Sequence, residues 1–194
     1  KIYDEMIDFA KYAFNKSHAA AYAVVSYQTA WLKYYYPVEF MAALMTSVID
    51  NPGKVSEYIY SCRQMGIKIL PPDINKGEGS FSVDGGNIRY GLAAIKSIGK
   101  PVIQAIINER NANGEFKNLK DFIERLSGKE VNKRTIESFI KSGAFDGLGG
   151  TRKQFMIIYI QIMDQVNRER KYSMTGQMSL FDMVGEDQKA EFDI

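Results

Sequence analysis

The sequence predicts a mainly α fold that contains one small antiparallel β hairpin or sheet. Long stretches carry apolar residues at helical spacing, and a Gly85–Gly86 pair separates two short β-like runs. Hydrophobic residues make up 45% of the 194 residues and charged residues 25%, as is usual for a folded globular chain. The first two observations indicate helical parts before and after a small β element.

The first half of the chain predicts a layer of helices. Lys1–Ala13 alternates apolar and charged residues at helical spacing. Phe14–Pro37 has no other proline and predicts one long helix, entered at Asn15–Ser17 and stopped by Pro37. Because nearly every side of this helix is apolar, we expect it to be mostly enclosed by protein.

Two shorter helices are predicted next. Val38–Ile49 is the first, and Asn51–Pro52 starts the second, with the proline in the favoured first turn. Gly66 should end this second helix. Its predicted buried stripe consists of Val55, Ile59, Cys62 and Met65.

A small β joint should follow the helical layer. Ile67–Leu70 reads as a strand, and the next two residues are prolines, which exclude a helix there. Phe81–Asp84 and Asn87–Gly91 flank the Gly85–Gly86 turn, a strong hairpin signal. We therefore expect a small antiparallel sheet without catalytic groups.

Leu92–Ile107 follows the helix-hairpin-helix pattern, in which a hydrophobic-glycine turn joins two short helices. In such a turn a glycine lets main-chain N–H groups approach a DNA phosphate, which positions DNA without reading its sequence. The pattern usually has glycine where Ser97 stands and a small residue where Ile103 stands. The predicted contacts of this turn are Lys96, Ser97, Gly99 and Lys100.

A second hairpin is predicted from Asn118 onward. Asn118–Leu126 and Asn132–Lys141 read as capped helices, and a glycine-rich turn leads into a long helix, Thr151–Lys171. Residues 91–154 carry 12 basic and 7 acidic side chains, the charge balance expected of a nucleic-acid-binding segment. The predicted DNA contacts here are Lys133, Arg134, Arg152 and Lys153, with Lys141 on the same side. The alternative is that both hairpins only pack.

Four stretches along nearly the whole chain share a further pattern. In order, they are FNKSHAAAYAVVSYQTAWLKYYYPVEFMAALMT, MGIKILPPDIN, RYGLAAIKSIG and SGAFDGLG. Together they resemble the alpha subunit of bacterial DNA polymerase III, a C-family replicative polymerase. The resemblance implies the end of a fingers domain followed by a tandem helix-hairpin-helix domain. The predicted division is 1–66 (fingers), 67–91 (β joint), 92–172 (hairpins) and 173–194 (flexible tail).

The resemblance assigns a role to the amino end of the long helix. A helix amino terminus attracts anions, and here a lysine, a serine and the only histidine of the sequence stand beside it. By resemblance these residues face the incoming dNTP and the primer-template end. The predicted nucleotide-binding residues are Asn15, Lys16, Ser17 and His18. From position alone, Ser17 could only cap the helix and His18 only fill a gap.

The acidic carboxyl-terminal segment contains a short apolar motif. Residues 173–194 carry 1 basic and 5 acidic side chains. Within them, Gln177, Met178, Ser179, Leu180 and Phe181 resemble the peptide by which bacterial polymerases dock on the sliding clamp, the beta subunit. Leu180 and Phe181 would fill an apolar pocket while the Gln177 amide bonds at its rim. The alternative is a hydrophobic hook that folds back on its own domain.

Catalytic and metal-binding constellations are missing from the sequence. Its carboxylates are scattered, so we expect no catalytic residue and no metal or other cofactor in this chain; the resemblance places Mg²⁺ and its aspartates in a preceding palm domain. One cysteine, Cys62, and one histidine exclude a multi-cysteine metal site, and the cysteine fits a reduced thiol in a bacterial cytoplasm. No membrane span or signal peptide is predicted. Because the chain begins with Lys1, we expect an excerpt of a longer protein.

Three hypotheses remain at this point. The first is a fragment of a replicative DNA polymerase, inactive alone, whose partners are primer-template DNA, dNTP, the sliding clamp and other replisome subunits. The second is a free-standing helix-hairpin-helix DNA-binding module. The third is a protein-interaction module in which the hairpins only pack.

Overall fold

A computed structural model describes residues 2–12, 16–126 and 131–175, with backbone alone for 8–12 and 172–175. Within these ranges the chain is mainly helical, which confirms the predicted fold class. The helices are α1 (Ile2–Tyr12), α2 (Lys16–Tyr35), α3 (Pro37–Ser47), α4 (Pro52–Gln64), α5 (Lys100–Asn113), α6 (Leu119–Leu126), α7 (Lys133–Ser142) and α8 (Arg152–Thr175). The strands are β1 (Ile69–Leu70), β2 (Ser82–Asp84) and β3 (Asn87–Arg89).

Helix α2 has the predicted limits but not the predicted burial. Tyr36 leaves the helical region and Pro37 opens α3, as expected for a residue before proline. No residue of α2 is buried, however, and Tyr34 is 79% exposed. The expected enclosure is therefore wrong within the described part of the chain. An apolar composition shows that a helix can be covered, but not which segment covers it.

Helices α3 and α4 pack with the sheet around one apolar core. The Asn51 side chain accepts a hydrogen bond from the Lys54 backbone N–H, which caps α4. The buried members of this core are Met41, Ala42, Met45, Val55, Cys62, Ile67, Phe81 and Ile88. Met65, predicted to be buried, is 39% exposed because α4 has already ended at Gln64.

The sheet is mixed rather than antiparallel. The hairpin between β2 and β3 is confirmed, with Gly85 and Gly86 at φ 57° and 78°. Strand β1, however, pairs with β3 in parallel, Ile69 opposite Ile88. The connection between β1 and β2 carries the chain across the sheet, so β3 lies in the middle. Sequence patterns that identify strands do not give their direction.

Helices α5 to α8 surround a second core rich in aromatic rings. Phe122 stacks edge-on against Phe116 and Phe145, with ring centroids 4.9 Å apart in both pairs. Phe139 and Phe155 extend the same cluster. The predicted caps are confirmed, because Asn118 and Asn132 accept hydrogen bonds from backbone N–H groups three residues later. This core is the support on which the hairpin residues are placed.

The loop between β1 and β2 joins the two hairpins. The Asn75 amide accepts from the Phe116 N–H at 2.8 Å and donates to the Phe116 carbonyl at 2.9 Å. One residue earlier, the Ile74 N–H donates to the Ala144 carbonyl at 3.0 Å. The loop thereby touches both the α5–α6 connection and the turn after α7. The division of the chain into four parts stays a prediction.

Candidate nucleic-acid interface

The turn of the first hairpin has the backbone shape that a glycine usually provides. Ser97 has φ 72°, and it is the one residue other than glycine with a positive φ among the described residues. The Ile98 N–H donates to the Ile95 carbonyl and closes the turn. The left-handed conformation costs an ordinary residue about 1–2 kcal/mol. The serine therefore preserves the turn at the position where the motif usually has glycine.

The segment before this turn differs from the prediction. Two short helices were expected around the turn, but Leu92–Ala94 forms only a single 3₁₀ turn, and α5 is the one α-helix of the first hairpin. Leu92 is buried in the second core, so the 3₁₀ turn holds the hairpin against that core. Ile103, which replaces the usual small residue, is also buried there.

The amino end of α5 offers donors to an anion. Gly99 precedes the helix without a side-chain cap. Within the described chain, no hydrogen bond uses the backbone N–H groups of Gly99, Lys100 or Val102. A helix start leaves such N–H groups unpaired and carries partial positive charge. Gly99 and Lys100 are exposed, so the N–H groups of these two residues lie at the surface beside a charged side chain, whereas Val102 is buried.

An open cleft lies between the first hairpin and α7. Its volume is about 590 Å³, and Ile95, Lys96 and Ser97 form its hairpin side. Tyr90 lies in the same cleft, and burial raises the pKa of its phenol. The cleft is lined by Pro72, Tyr90, Ala94, Ile95, Lys96, Ser97, Arg134, Ser138, Lys141 and Ser142.

Helix α7 supplies the opposite side of this cleft. Arg134, Ser138, Lys141 and Ser142 recur at intervals of four, three and one residues, so they share one face of the helix. Lys141 is paired with Glu137, whereas Arg134 forms no ion pair with another described residue. The two serines were missed from the sequence, although their helical spacing from Arg134 would have identified them.

The glycine-rich turn of the second hairpin is closed by an internal ion pair. Arg152 donates to Asp146 through two hydrogen bonds, and this holds the pKa of the Asp146 carboxyl below its ordinary value. The guanidinium lies so close to Gly143 that a Cβ there would be 2.2 Å from Nη2. Gly143 also has φ 85°, which favours glycine. Arg152, predicted to contact DNA, is thus engaged within the protein.

The other two predicted contacts of the second hairpin lie outside the cleft. Lys133 forms an ion pair with Asp164 of α8, 3.0 Å between Nζ and Oδ1. Lys153 is exposed at the start of α8. The structure therefore brings Lys96, Ser97 and Arg134 together and leaves Lys133, Arg152 and Lys153 apart from them.

Three of the four predicted nucleotide-binding residues lie at the first turn of α2. Lys16, Ser17 and His18 are exposed there, while Asn15 lies outside the described residues. The His18 ring contacts the Tyr22 ring one helical turn later, with centroids 4.4 Å apart. The predicted clamp-binding motif, Gln177–Phe181, also lies outside the described residues.

Metal-binding clusters and membrane-spanning helices are both absent from the described residues. No group of three or more His, Cys, Asp or Glu side chains there could hold a metal ion. Among the helices that the structure describes, none is both long and apolar enough to cross a membrane.

Known proteins resemble this chain along almost its whole length. Residues 66–155 match the family described as the helix-hairpin-helix motif. The chain is 47% identical to DNA polymerase III subunit alpha of Escherichia coli (strain K12) over 188 residues, which cover 96% of the chain and 16% of that protein.

Two further relatives come from other bacteria. Identity is 47% over 185 residues with the same subunit of Vibrio cholerae (95% and 16% covered) and 43% over 180 residues with that of Mycobacterium tuberculosis strain H37Rv (93% and 15% covered). The chain spans about one sixth of the length of these relatives. The chain therefore belongs to the family of bacterial DNA polymerase III alpha subunits, as a segment that includes its helix-hairpin-helix motif.

Proposed function

We propose that this chain serves a replicative DNA polymerase by holding duplex DNA through its sugar-phosphate backbone. The observation that carries this proposal is the Ser97 turn, which exposes the uncapped amino end of α5 beside Lys96 and Lys100. Unpaired N–H groups and lysines recognise phosphate oxygens whatever the base sequence. A replicative enzyme that copies every sequence needs contacts of this kind.

The remaining DNA contacts are assigned to the basic residues of the second hairpin. Arg134 lies in the same cleft as Lys96 and Ser97, so a DNA backbone bound at the hairpin turn can also reach Arg134. Lys153 is exposed and forms no ion pair with another described residue. Lys133 and Arg152 are half-exposed members of internal ion pairs, so we assign them smaller contributions.

The polymerase reaction itself would be completed by other parts of the enzyme. The relatives are about six times longer than this chain, and each is the alpha subunit of a DNA polymerase III. In this proposal Lys16, Ser17 and His18 contact the incoming dNTP, together with Asn15. Mg²⁺ is held by carboxylates elsewhere in the enzyme, and this chain alone is inactive.

The segment that contains Gln177–Phe181 is proposed to tether the enzyme to the sliding clamp. Leu180 and Phe181 are the apolar anchors, and acidic residues follow them in the sequence. A peptide contact of this size suits an affinity near the micromolar range, about −8 kcal/mol. The bacterial cytoplasm is the compartment where such a complex would act.

Salt dependence of duplex binding tests the DNA-binding proposal. Two variants of the 194-residue chain would be compared, Lys96→Ala/Lys100→Ala and the matched control Lys117→Ala/Lys120→Ala, which removes two exposed lysines near α6. Binding to a labelled blunt duplex is measured by anisotropy over a range of KCl concentrations. The first variant should reduce the slope of log K against log salt by about 1.8, whereas the control should change it little.

Two results would contradict the proposal. Equal slopes for the wild type and the Lys96/Lys100 variant would mean that the hairpins only pack. Equal losses in the two variants would mean that a general positive field, rather than this turn, binds DNA.

A further inference from the structure

The cleft beside the first hairpin has a composition that a duplex backbone does not require. Pro72 and Ile95 are buried, and Tyr90 and Ala94 are half-buried, so its floor is apolar. Charge is confined to the rim, where Lys96, Arg134 and Lys141 are exposed. Phosphates need the rim alone, because an apolar floor offers them no donor.

An apolar floor with a cationic rim matches the two halves of a nucleotide. A base or sugar has flat or apolar surface to place on the floor, and its phosphate carries the charge that the rim attracts. The volume of about 590 Å³ lies within the range of small-molecule sites. In a duplex the bases are stacked and paired, so their faces cannot reach such a floor without leaving the helix.

We propose that this cleft binds one unpaired nucleotide of a single DNA strand, its base or sugar on the Pro72–Tyr90–Ile95 floor and its phosphate at Lys96 and Arg134. This inference rests on the proposed function, because Lys96 and Ser97 belong both to the cleft and to the hairpin turn. A strand held at the turn would pass directly into the cleft. That continuity favours a nucleotide within a strand over a free nucleotide.

Ser138 gives a test that leaves the hairpin turn untouched. Its side chain is half-buried in the cleft wall, and no hydrogen bond of its hydroxyl is found among the described residues. Ser138→Glu places a carboxylate where phosphate is proposed to lie, and Ser138→Lys places a cation there. The matched control is Lys120→Glu, on the exposed surface of α6, which makes the chain more acidic without touching the cleft.

The probes are a fluorescein-labelled oligothymidylate of about 12 nucleotides and a blunt duplex, both titrated with the 194-residue chain. Ser138→Glu should weaken binding of the single strand about tenfold, and Ser138→Lys should strengthen it. Duplex affinity should change in the same direction but less, by about threefold at most, because the duplex backbone reaches only Arg134 at the rim of the cleft. Lys120→Glu should change both affinities equally and slightly. Excess dTTP should not displace the single strand from the wild type. Thermal unfolding of each variant checks that the fold is kept.

Each other outcome overturns the inference, and the duplex result separates its failure from that of the proposed function. If both Ser138 variants leave single-strand binding unchanged, the cleft is empty in the complex. If duplex and single-strand affinities fall by the same factor, the cleft belongs to the duplex surface. If dTTP displaces the strand, the site takes free nucleotides. In each of these three cases, weaker duplex binding by the Lys96→Ala/Lys100→Ala variant than by the wild type would still uphold the proposed function.

Discussion

The guanidinium of Arg152 holds the carboxylate of Asp146 through paired hydrogen bonds, 2.9 Å from Nε to Oδ1 and 2.5 Å from Nη2 to Oδ2. The pair bridges the turn after α7 and the first residue of α8. Arg152 Nη1 also donates to the Lys141 carbonyl at 3.4 Å, near the end of α7. This pair stabilises the second hairpin turn with a carboxylate of the protein. The sequence had predicted that Arg152 contacts DNA instead.

The ion pair between Asp146 and Arg152 should make the unfolding free energy of the protein depend on pH in acid. Because the folded-state pKa of Asp146 is lowered by Arg152, the pair stabilises the fold at neutral pH, and that contribution is lost as the pH falls below the ordinary carboxyl pKa of 3.8. Both side chains are about half exposed, so the effect should be about 1 kcal/mol or less. Urea denaturation at several pH values would measure it.

The matched variants for this measurement are Asp146→Asn and Asp50→Asn. Asp146→Asn should lower the unfolding free energy at pH 7 and flatten its decline in acid. Asp50 is exposed in a turn and should leave the profile as in the wild type. A parallel profile for Asp146→Asn and the wild type would contradict the role of the pair.

Ser97→Gly should stabilise the protein by about 1 kcal/mol, because glycine adopts the left-handed φ of 72° without the cost that serine bears. The urea midpoint reports this change. Ser56→Gly, on the exposed surface of α4, is the control and should destabilise by about 0.5 kcal/mol. Duplex affinity should be kept in Ser97→Gly, since the backbone shape is kept. A destabilised Ser97→Gly protein would show that the serine side chain holds the turn.

Asn75→Ala should destabilise the protein by about 2–3 kcal/mol. The change removes both hydrogen bonds to the Phe116 backbone and leaves that N–H and carbonyl without these partners. Asn108→Ala, which removes an exposed contact with Gln104, should change stability by less than about 0.5 kcal/mol. Equal losses of stability in the two variants would show that the Asn75 hydrogen bonds do not support the hairpins.

Lys16→Ala and His18→Ala should impair nucleotide use in the complete polymerase. We expect a raised KM for dNTP or a lowered kcat, since a cation at a helix amino end stabilises a bound triphosphate. Lys33→Ala, at the other end of α2, is the control. Steady-state primer extension measures both constants. Wild-type kinetics in both variants would exclude the proposed dNTP contacts.

Replacing Leu180 and Phe181 by alanine should abolish clamp binding by the complete polymerase. Processive synthesis with the clamp should fall, and primer extension without the clamp should be unchanged, because the motif lacks a role in chemistry. Surface plasmon resonance on immobilised clamp gives the affinity. Retention of that affinity would place the tether elsewhere in the enzyme.

Local sequence signals determined most elements of this protein. The Gly85–Gly86 pair predicted the hairpin, and Asn51 and Asn132 predicted two helix starts through the short polar side chains that cap them. Pro37 predicted the boundary between α2 and α3. These signals act within a few residues, so they can be read without knowing what lies nearby in space.

Tertiary structure decided the direction of β1, the exposure of α2 and the composition of the cleft. Arg134 and Lys96 are 38 positions apart, and their shared cleft depends on how α7 packs against α8 and the second core. The turn before α8 also brings Arg152 to Asp146, six positions earlier, and so engages a predicted DNA contact in an internal ion pair. Long-range packing decides that Lys96 and Arg134 lie in one cleft. Neither composition nor periodicity gives the distance in space between two segments of the chain.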